Sequence, residues 1–401
     1  MPAWTNWSGS VQCAPTAIIE PQSESELIDA IRQSASTIRV RGTGHSFVPL
    51  CAADDQLISL DQYQGIVAID APAGTATVRA GTKIHQLGVP LLEAGLAMTN
   101  MGDIDRQSIA GAISTGTHGT GRTLGSISTQ VAALRLITAS GDIVECSPAM
   151  EPNIFKAAQV SLGALGVISQ VTLRLLPAYR LHEQSWAEPF AECVAQLEER
   201  VAQNRHFEFF WVPQHDVCAI KTLNVTELPS LSQPAAKPAV AGRLARYIGE
   251  ERIDWSYRVF PSERNLKFNE TEFALPAQQG PSCLTELRTL MQTRYPDVAW
   301  PIEYRTLAAD DIWLSPAYGR DTVTISVHQA ADLPHRPFFD DVEAIFRNYG
   351  GRPHWGKMHT HRAAELSALY PQWDAFQQVR RQLDPHSRFL NDYLRQLFDI
   401  V

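Results

Sequence analysis

The stretch RVRGTGHSF, Arg39–Phe47, breaks a β-rich run (Ile38, Val40) into Gly42-Thr43-Gly44, and His45 follows at once. Glycines at such a break let backbone N–H groups turn toward one point and let a ligand come close, which is how backbone cradles phosphate. A second stretch of the same kind, STGTHGTG, spans Ser114–Gly121. Two anion-cradling loops in one unit point to a cofactor with a diphosphate at its middle. A Rossmann site needs GxGxxG opening a helix. Here the third position is Phe47 and the glycines follow the second strand, which argues against that fold.

The surrounding chain sets the bounds. Its 401 residues exceed what one hydrophobic core usually supports, so two domains are expected. An apolar fraction of 44% and a charged fraction of 19% are those of an ordinary globular protein. The net charge of −9 argues against nucleic acid or an anionic membrane surface as partner. The start, MPAWTNWSGS, lacks a basic stretch leading into an apolar one, and no run approaches the ~20 apolar residues that span a bilayer. Cys13, Cys51, Cys146, Cys193, Cys218 and Cys283 are scattered without a CxxC pair, so free thiols in a reducing cytoplasm are expected rather than disulfides or a metal.

Outward from the first loop, Thr16–Glu20 reads as a strand ended by Pro21, and Ser23 or Ser25 caps a helix with Leu27, Ile28 and Ile31 on one face. Short strands follow at Leu57–Leu60, Ile66–Ile69 and Thr75–Ala80, then a helix over Lys83–Gly95. Gln107–Gly121 is nearly free of large side chains. A hairpin over Val131–Thr138 and Ile143–Cys146 turns at Ser140-Gly141. Ala157–Gly166 then Val167–Leu176 read as a helix, a glycine-broken turn and a long strand.

The character changes after Pro177. Phe190, Cys193, Val194, Leu197 and Val201 recur at helical spacing, His206–Val212 and Val217–Leu223 read as paired strands, and Pro229–Pro238 as a surface loop. Helices with antiparallel strands and no βαβ alternation give an α+β second half. In Pro301–Leu307, Glu303 and Arg305 share one strand face; in Asp321–Gln329, Thr322, Thr324, Ser326 and His328 form a polar face. Such a polar sheet surface suits a polyhydroxylated ligand.

Taken in order, NWSG, RGTGHSF, QSIAGAISTGTHGTG, SLGALGVI, FNETEF, IEYRTLAADDIWLSPAYGRD, RPHWGK and LDPHSRFLNDYL resemble the aldonolactone oxidases (gulonolactone and arabinonolactone oxidase group) of the vanillyl-alcohol-oxidase flavoprotein superfamily. The bacterial alditol oxidases are similar too. The resemblance implies an α+β, two-domain fold of the PCMH type. Residues 1–178 would form an FAD-binding domain, 179–357 a substrate-binding cap, and 358–401 a segment returning to the first domain.

It further implies FAD joined covalently through His45. Cofactor contacts would come from Arg41, Gly42, Thr43, Gly44, Ser46, Gly102, Asp103, Ser108, Gly111, Ser114, Thr115, Gly116, His118, Gly119, Gly166, Val167, Ile168 and Lys357. Catalysis would fall to Glu303, Arg305 and Lys357, with Arg305 and Lys357 orienting substrate and stabilising charge and Glu303 positioning or accepting a proton. Asp103, Ser326, His328 and His354 would meet substrate hydroxyls, and Trp313 and Trp355 would pack around the site. Alditol oxidases carry alanine and serine at Gly102 and Asp103 and threonine at His328, which favours the lactone group here. In this superfamily a small residue at Gly102 leaves oxygen a path to the flavin.

The implied activity is hydride transfer from a secondary alcohol to flavin N5, most simply from the C2 hydroxyl of an aldono-1,4-lactone, with O2 reduced to H2O2. Alternatives of the same fold are an alditol, sugar or nucleoside oxidase, or a dehydrogenase using another acceptor. A flavin- or sugar-binding protein without catalysis is the rival from another class; Glu303, Arg305 and Lys357 speak against it.

Overall fold

The computed structural model describes residues 3–34, 36–231, 247–249, 251–262 and 266–400. Its buried side chains gather around two main cores.

The first core draws on both ends of the chain. Ala17–Ile19, Gln56–Ser59 and Ile38–Arg41 form a parallel sheet with Gln56–Ser59 in the centre. Helix Glu24–Gln33 connects two of these strands; the Ser23 hydroxyl accepts the Glu26 N–H at 3.2 Å, and Leu27, Ala30 and Ile31 are buried. A five-stranded antiparallel sheet runs Ile143–Cys146, Val131–Ile137, Val167–Arg174, Thr75–Arg79, Ile66–Asp70. The helices Ala363–Leu369, Trp373–Leu383 and Asp392–Phe398 insert Leu366, Phe376, Val379 and Leu394 into the same core. Buried Arg39 ties head to tail. It donates to the carbonyls of Leu50 (2.8 Å), Leu162 (3.0 Å), Gly163 (2.9 Å) and Phe389. The Ile38 N–H in turn donates to the Arg388 carbonyl at 2.8 Å.

The second core belongs to an eight-stranded antiparallel sheet. Its order is Arg252–Trp255, Arg180–Pro189, Val217–Thr226, His206–Val212, Ile302–Leu307, Thr322–Ala330, Phe268–Pro276, Arg352–Pro353. Side chains alternate between faces. On one face Phe209, Tyr304, Phe273 and Ile325 pack under helices Gly280–Arg294 and Arg336–Asn348, with Phe209 stacked on Tyr304 (5.0 Å) and Phe273 on Phe346 (4.8 Å). The opposite face carries the polar residues and meets the second glycine loop. Gly121 N–H donates to the Thr306 carbonyl at 2.9 Å, and the Thr120 hydroxyl to the Phe207 carbonyl at 2.6 Å.

Three expected helices differ in the structure. Lys83–Gly95 divides into a 3₁₀ turn, Ile84–Gln86, and a helix, Gly88–Glu93, where the Gln86 side chain takes the Lys83 N–H at 2.7 Å. The helix expected from Ala157 runs Pro152–Ala158 instead, while the glycine-broken turn expected before Val167 is present, with positive φ at Leu162, Gly163 and Gly166 (54°, 65°, 143°). Phe190–Val201 is two helices, Phe190–Ala195 and Leu197–Gln203, hinged at Gln196 (φ −107°, ψ 7°) so that both apolar stripes reach the sheet. Strands Arg180–Pro189 and Arg252–Trp255 had no reading in the sequence. The Pro229–Pro238 loop lies mostly outside the described residues. All six cysteines are free. Among the described residues no helix is long and apolar enough to cross a membrane.

Candidate active site

A cavity of about 410 Å³ opens where the polar sheet face meets the glycine loops. His45, Ser46, Gly102, Asp103, Thr115 and His118 line it from the first unit; Glu303, Arg305, His328, His354 and Lys357 line it from the second. Residues far apart in sequence thus share one space.

The glycine loops lock against each other by close backbone approach. A Cβ on Gly42 would lie 2.0 Å from the Ser108 hydroxyl, and one on Gly119 would lie 2.1 Å from the Met101 carbonyl oxygen. Gly44 and Gly116 adopt positive φ (73° and 72°), which glycine tolerates. Among the described residues, no protein acceptor receives the N–H of Gly42, Thr43, Gly44, His45 or Ser46, although the loop is only half-exposed. Successive amides left open beside a cavity fit an anionic group such as a diphosphate. Arg41 stands at the loop entrance and donates to Asp61 at 2.8 Å; Lys83 donates to the same carboxylate at 2.7 Å.

His45 lies at 6.1 Å from Trp7, ring stacked on ring. Burial, then the charges of Lys357 and Lys83, push its pKa down to about 4, so its imidazole is neutral at pH 7. Trp7, Phe47, Phe268 and Trp300 form an aromatic wall, with Phe268 at 5.2 Å from Trp7, 5.6 Å from Phe47 and 5.4 Å from Trp300. The Lys357 ammonium sits 5.0 Å from the Phe47 ring centre.

Opposite the aromatic wall are charges held by sheet register. Arg305 Nη2 lies 2.7 Å from Glu303 and 3.0 Å from Asp103, and its Nε donates to Glu208 at 2.7 Å. The Ser326 hydroxyl donates to Glu303 at 3.2 Å; Ser326 does not itself line the cavity. Lys357 pairs with Glu270, whose other oxygen is 3.5 Å from His328 Nε2. Burial pushes the Glu270 carboxyl up, but Lys357 and His328 outweigh it and hold the carboxylate below its ordinary range. Glu272 is held low in the same way, against its burial, by His118, whose Nε2 lies 2.7 Å away, and by His354. His354 is pushed down by burial to about 4; its Nδ1 accepts the Gly356 N–H at 3.0 Å, which leaves the proton on Nε2.

Several expected cofactor residues lie behind the cavity wall. Ser108 immediately precedes the helix Ile109–Ser114, Gly111 lies one turn along it, and the Ser114 hydroxyl bonds to that of Ser161 (3.2 Å). Gly166 packs on the Ile137 carbonyl, and Val167 and Ile168 enter the five-stranded sheet. Trp355 stacks on Tyr370 at 5.0 Å in the first core, and Trp313 packs against that core. Neither lines the cavity, although Trp355 lies between the cavity-lining His354 and Gly356; Trp7 and Trp300 are the tryptophans that line it. Glu208, Lys221, Glu270, Glu272 and the aromatic wall were missed in the sequence. Alternation in Phe268-Asn269-Glu270-Thr271-Glu272 was the available signal for two of them.

A family profile described as D-arabinono-1,4-lactone oxidase matches residues 171–248 and 232–397, and one described as FAD binding domain matches 15–147. The chain is similar to L-gulono-1,4-lactone dehydrogenase of Mycobacterium tuberculosis, with 40% identity over 99% of each chain. It is similar to the alditol oxidase of a Streptomyces species, with 31% identity over 99% of each, and to bovine (Bos taurus) L-gulonolactone oxidase, with 29% identity over 98% of this chain and 97% of that one. Among solved structures, cholesterol oxidase from B. sterolicum superposes with a TM-score of 0.87 and 18% identity, over 99% of this chain and 96% of that one; this likeness bears on fold alone.

Proposed function

Because the chain belongs to the D-arabinono-1,4-lactone oxidase family of FAD-binding flavoproteins, we propose that it oxidises the C2 hydroxyl of an aldono-1,4-lactone to the ketone. The observation that carries this reading is the shared cavity, in which open loop amides and a neutral histidine face Glu303, Arg305 and Lys357. Bound FAD supplies the two-electron acceptor for the hydride leaving the carbinol carbon.

In this reading Gly42–Ser46 and the loop around Gly119 hold the diphosphate, with backbone amides as donors. Glu303 accepts the hydrogen bond of the reacting hydroxyl and takes its proton; Ser326 and Arg305 fix its carboxylate plane. Arg305 and Lys357 bring positive charge to the cavity where negative charge develops. Asp103, His328 and the Nε2–H of His354 meet the other polar groups of the sugar, and the aromatic wall takes its C–H faces. His45 is the covalent anchor: a neutral imidazole has the lone pair that bond formation requires. Residues 1–178 with 358–401 form the FAD-holding part and 179–357 the cap; the second core lies almost wholly within 179–357, while Leu181, Leu223, Val259, Phe260, Ile312, Leu314 and Trp355 of that segment pack into the first core. Six free thiols fit a reducing cytoplasm.

Gly102 lines the cavity, and a residue without a side chain there favours O2 as acceptor, giving H2O2. A second reading, a dehydrogenase that passes electrons elsewhere, is favoured by the name of the mycobacterial relative. An oxygen electrode with L-gulono-, L-galactono- and D-arabinono-1,4-lactone separates the two. Oxygen uptake matched by peroxide supports the oxidase. Turnover seen only with an added dye supports the dehydrogenase, and turnover with neither on any lactone overturns the proposal. Acid precipitation of the holoprotein tests the anchor: flavin should stay in the pellet and travel with the His45 peptide, and a colourless pellet would refute it.

A further inference from the structure

Beneath Arg305 the sheet carries a row of alternating charge. Lys221 stands directly opposite Glu208 in one strand pair, and Glu208 directly opposite Arg305 in the next. The Lys221 ammonium lies 3.1 Å from Glu208 Oε1, while Oε2 accepts Arg305 Nε–H at 2.7 Å. Asp103, reaching over from the first unit, closes the row at 3.0 Å from Arg305 and 3.7 Å from Lys221. Glu208 and Lys221 do not line the cavity; Arg305, Glu303 and Asp103 do.

A guanidinium presents its donors in a rigid plane, so occupying the Nε edge fixes where the Nη2 donors point. Here that edge is taken by Glu208 and Nη2 faces Glu303. Placing Glu208 and Lys221 in a buried strand pair is expensive, and apolar side chains would serve stability equally well. Burial raises the Glu208 carboxyl, but Arg305 and Lys221 overcome this and keep it ionised.

We propose that Glu208 and Lys221 are positioning residues: through Arg305 they set the orientation of the Arg305–Glu303 pair that faces substrate. Neither touches the reacting atoms. The proposal rests on the reading of Glu303 and Arg305 given above, and its first readout needs no substrate.

In the holoprotein, the Arg305 Nε–H resonance, assigned by its loss in Arg305→Lys, should exchange slowly with water. Glu208→Gln should speed that exchange about tenfold or more and lower the limiting rate of anaerobic flavin reduction by lactone about tenfold to a hundredfold. Lys221→Met, which frees Oε1 of Glu208, should speed the same exchange by a smaller factor and serves if Glu208→Gln does not fold. An unchanged Arg305 exchange rate in either variant overturns the proposal. If exchange rises but no lactone reduces any form of the protein, the positioning stands and the substrate assignment fails.

Discussion

Glu343→Gln should cost stability in a pH-dependent way whose size can be worked out from one carboxylate. Glu343, on helix Arg336–Asn348, accepts the Thr360 N–H (3.0 Å), the Thr360 hydroxyl (2.8 Å), His361 Nδ1–H (3.0 Å) and Arg347 Nη2 (2.8 Å). It thereby anchors the segment that follows Lys357. Burial pushes its pKa up, but these donors win and hold it at about 2, against an ordinary value of 4.5. At about 1.4 kcal/mol per pH unit, this lowering amounts to about 3 kcal/mol. A depressed carboxyl stabilises the fold fully above its unfolded pKa, and the contribution disappears as pH falls from 4.5 toward 2. Urea unfolding of wild type and Glu343→Gln at pH 7, 5, 4 and 3 reads the difference, so other carboxylates cancel. The gap should be about 3 kcal/mol at pH 7 and should close steadily below pH 4.5. A gap that is absent at pH 7, or constant down to pH 3, would refute the reasoning.

Three further outcomes follow from the site. Gly119→Ala drives a Cβ to 2.1 Å from the Met101 carbonyl, so the loop must move; purified variant should hold much less FAD per chain, read from its absorbance ratio. Lys357→Met removes the ammonium that does most to hold Glu270 ionised, so the Glu270 carboxyl rises. Activity should fall, and NMR titration of carboxyl-labelled glutamate should show the Glu270 carboxyl titrating at higher pH than in the unaltered protein. Gly102→Val places branched carbon at a position where even a Cβ comes 3.1 Å from the His118 carbonyl. It should slow reoxidation by O2, measured by stopped flow, more than it slows reduction by lactone.

Much of the site was legible because strand alternation is local. Glu303 and Arg305 in IEYRTL share a face by spacing alone, and the structure puts both in the cavity. The same rule applied to FNETEF would have placed Glu270 and Glu272 beside Phe268. Glu208 in HFEFFWV and Lys221 in VCAIKTL were visible as lone charges in apolar runs, but not as partners. Their meaning depends on register with Arg305, a contact across 97 positions. The aromatic wall joins Trp7, Phe47, Phe268 and Trp300 from separate segments, so no window contains it. Glycine-rich loops read well where φ or close approach demanded glycine, as at Gly44 and Gly119. Gly166 meets the same demand, with φ 143° and a close approach to the Ile137 carbonyl, but beside the sheet and away from the cavity. The break at Gln196 was hidden because tertiary packing, not local propensity, sets it; the glycine-broken turn before Val167 was legible, and only the helix position before it was not.

Glu303 and Arg305 are proposed to guide a lactone C2–H hydride to the flavin. Anaerobic mixing of holoprotein with an aldono-1,4-lactone, beside the matching 2-deoxylactone, tests it most directly. The flavin absorbance should bleach with the hydroxylated lactone and persist with the 2-deoxy compound. Persistence with both, or equal bleaching by both, would contradict the account.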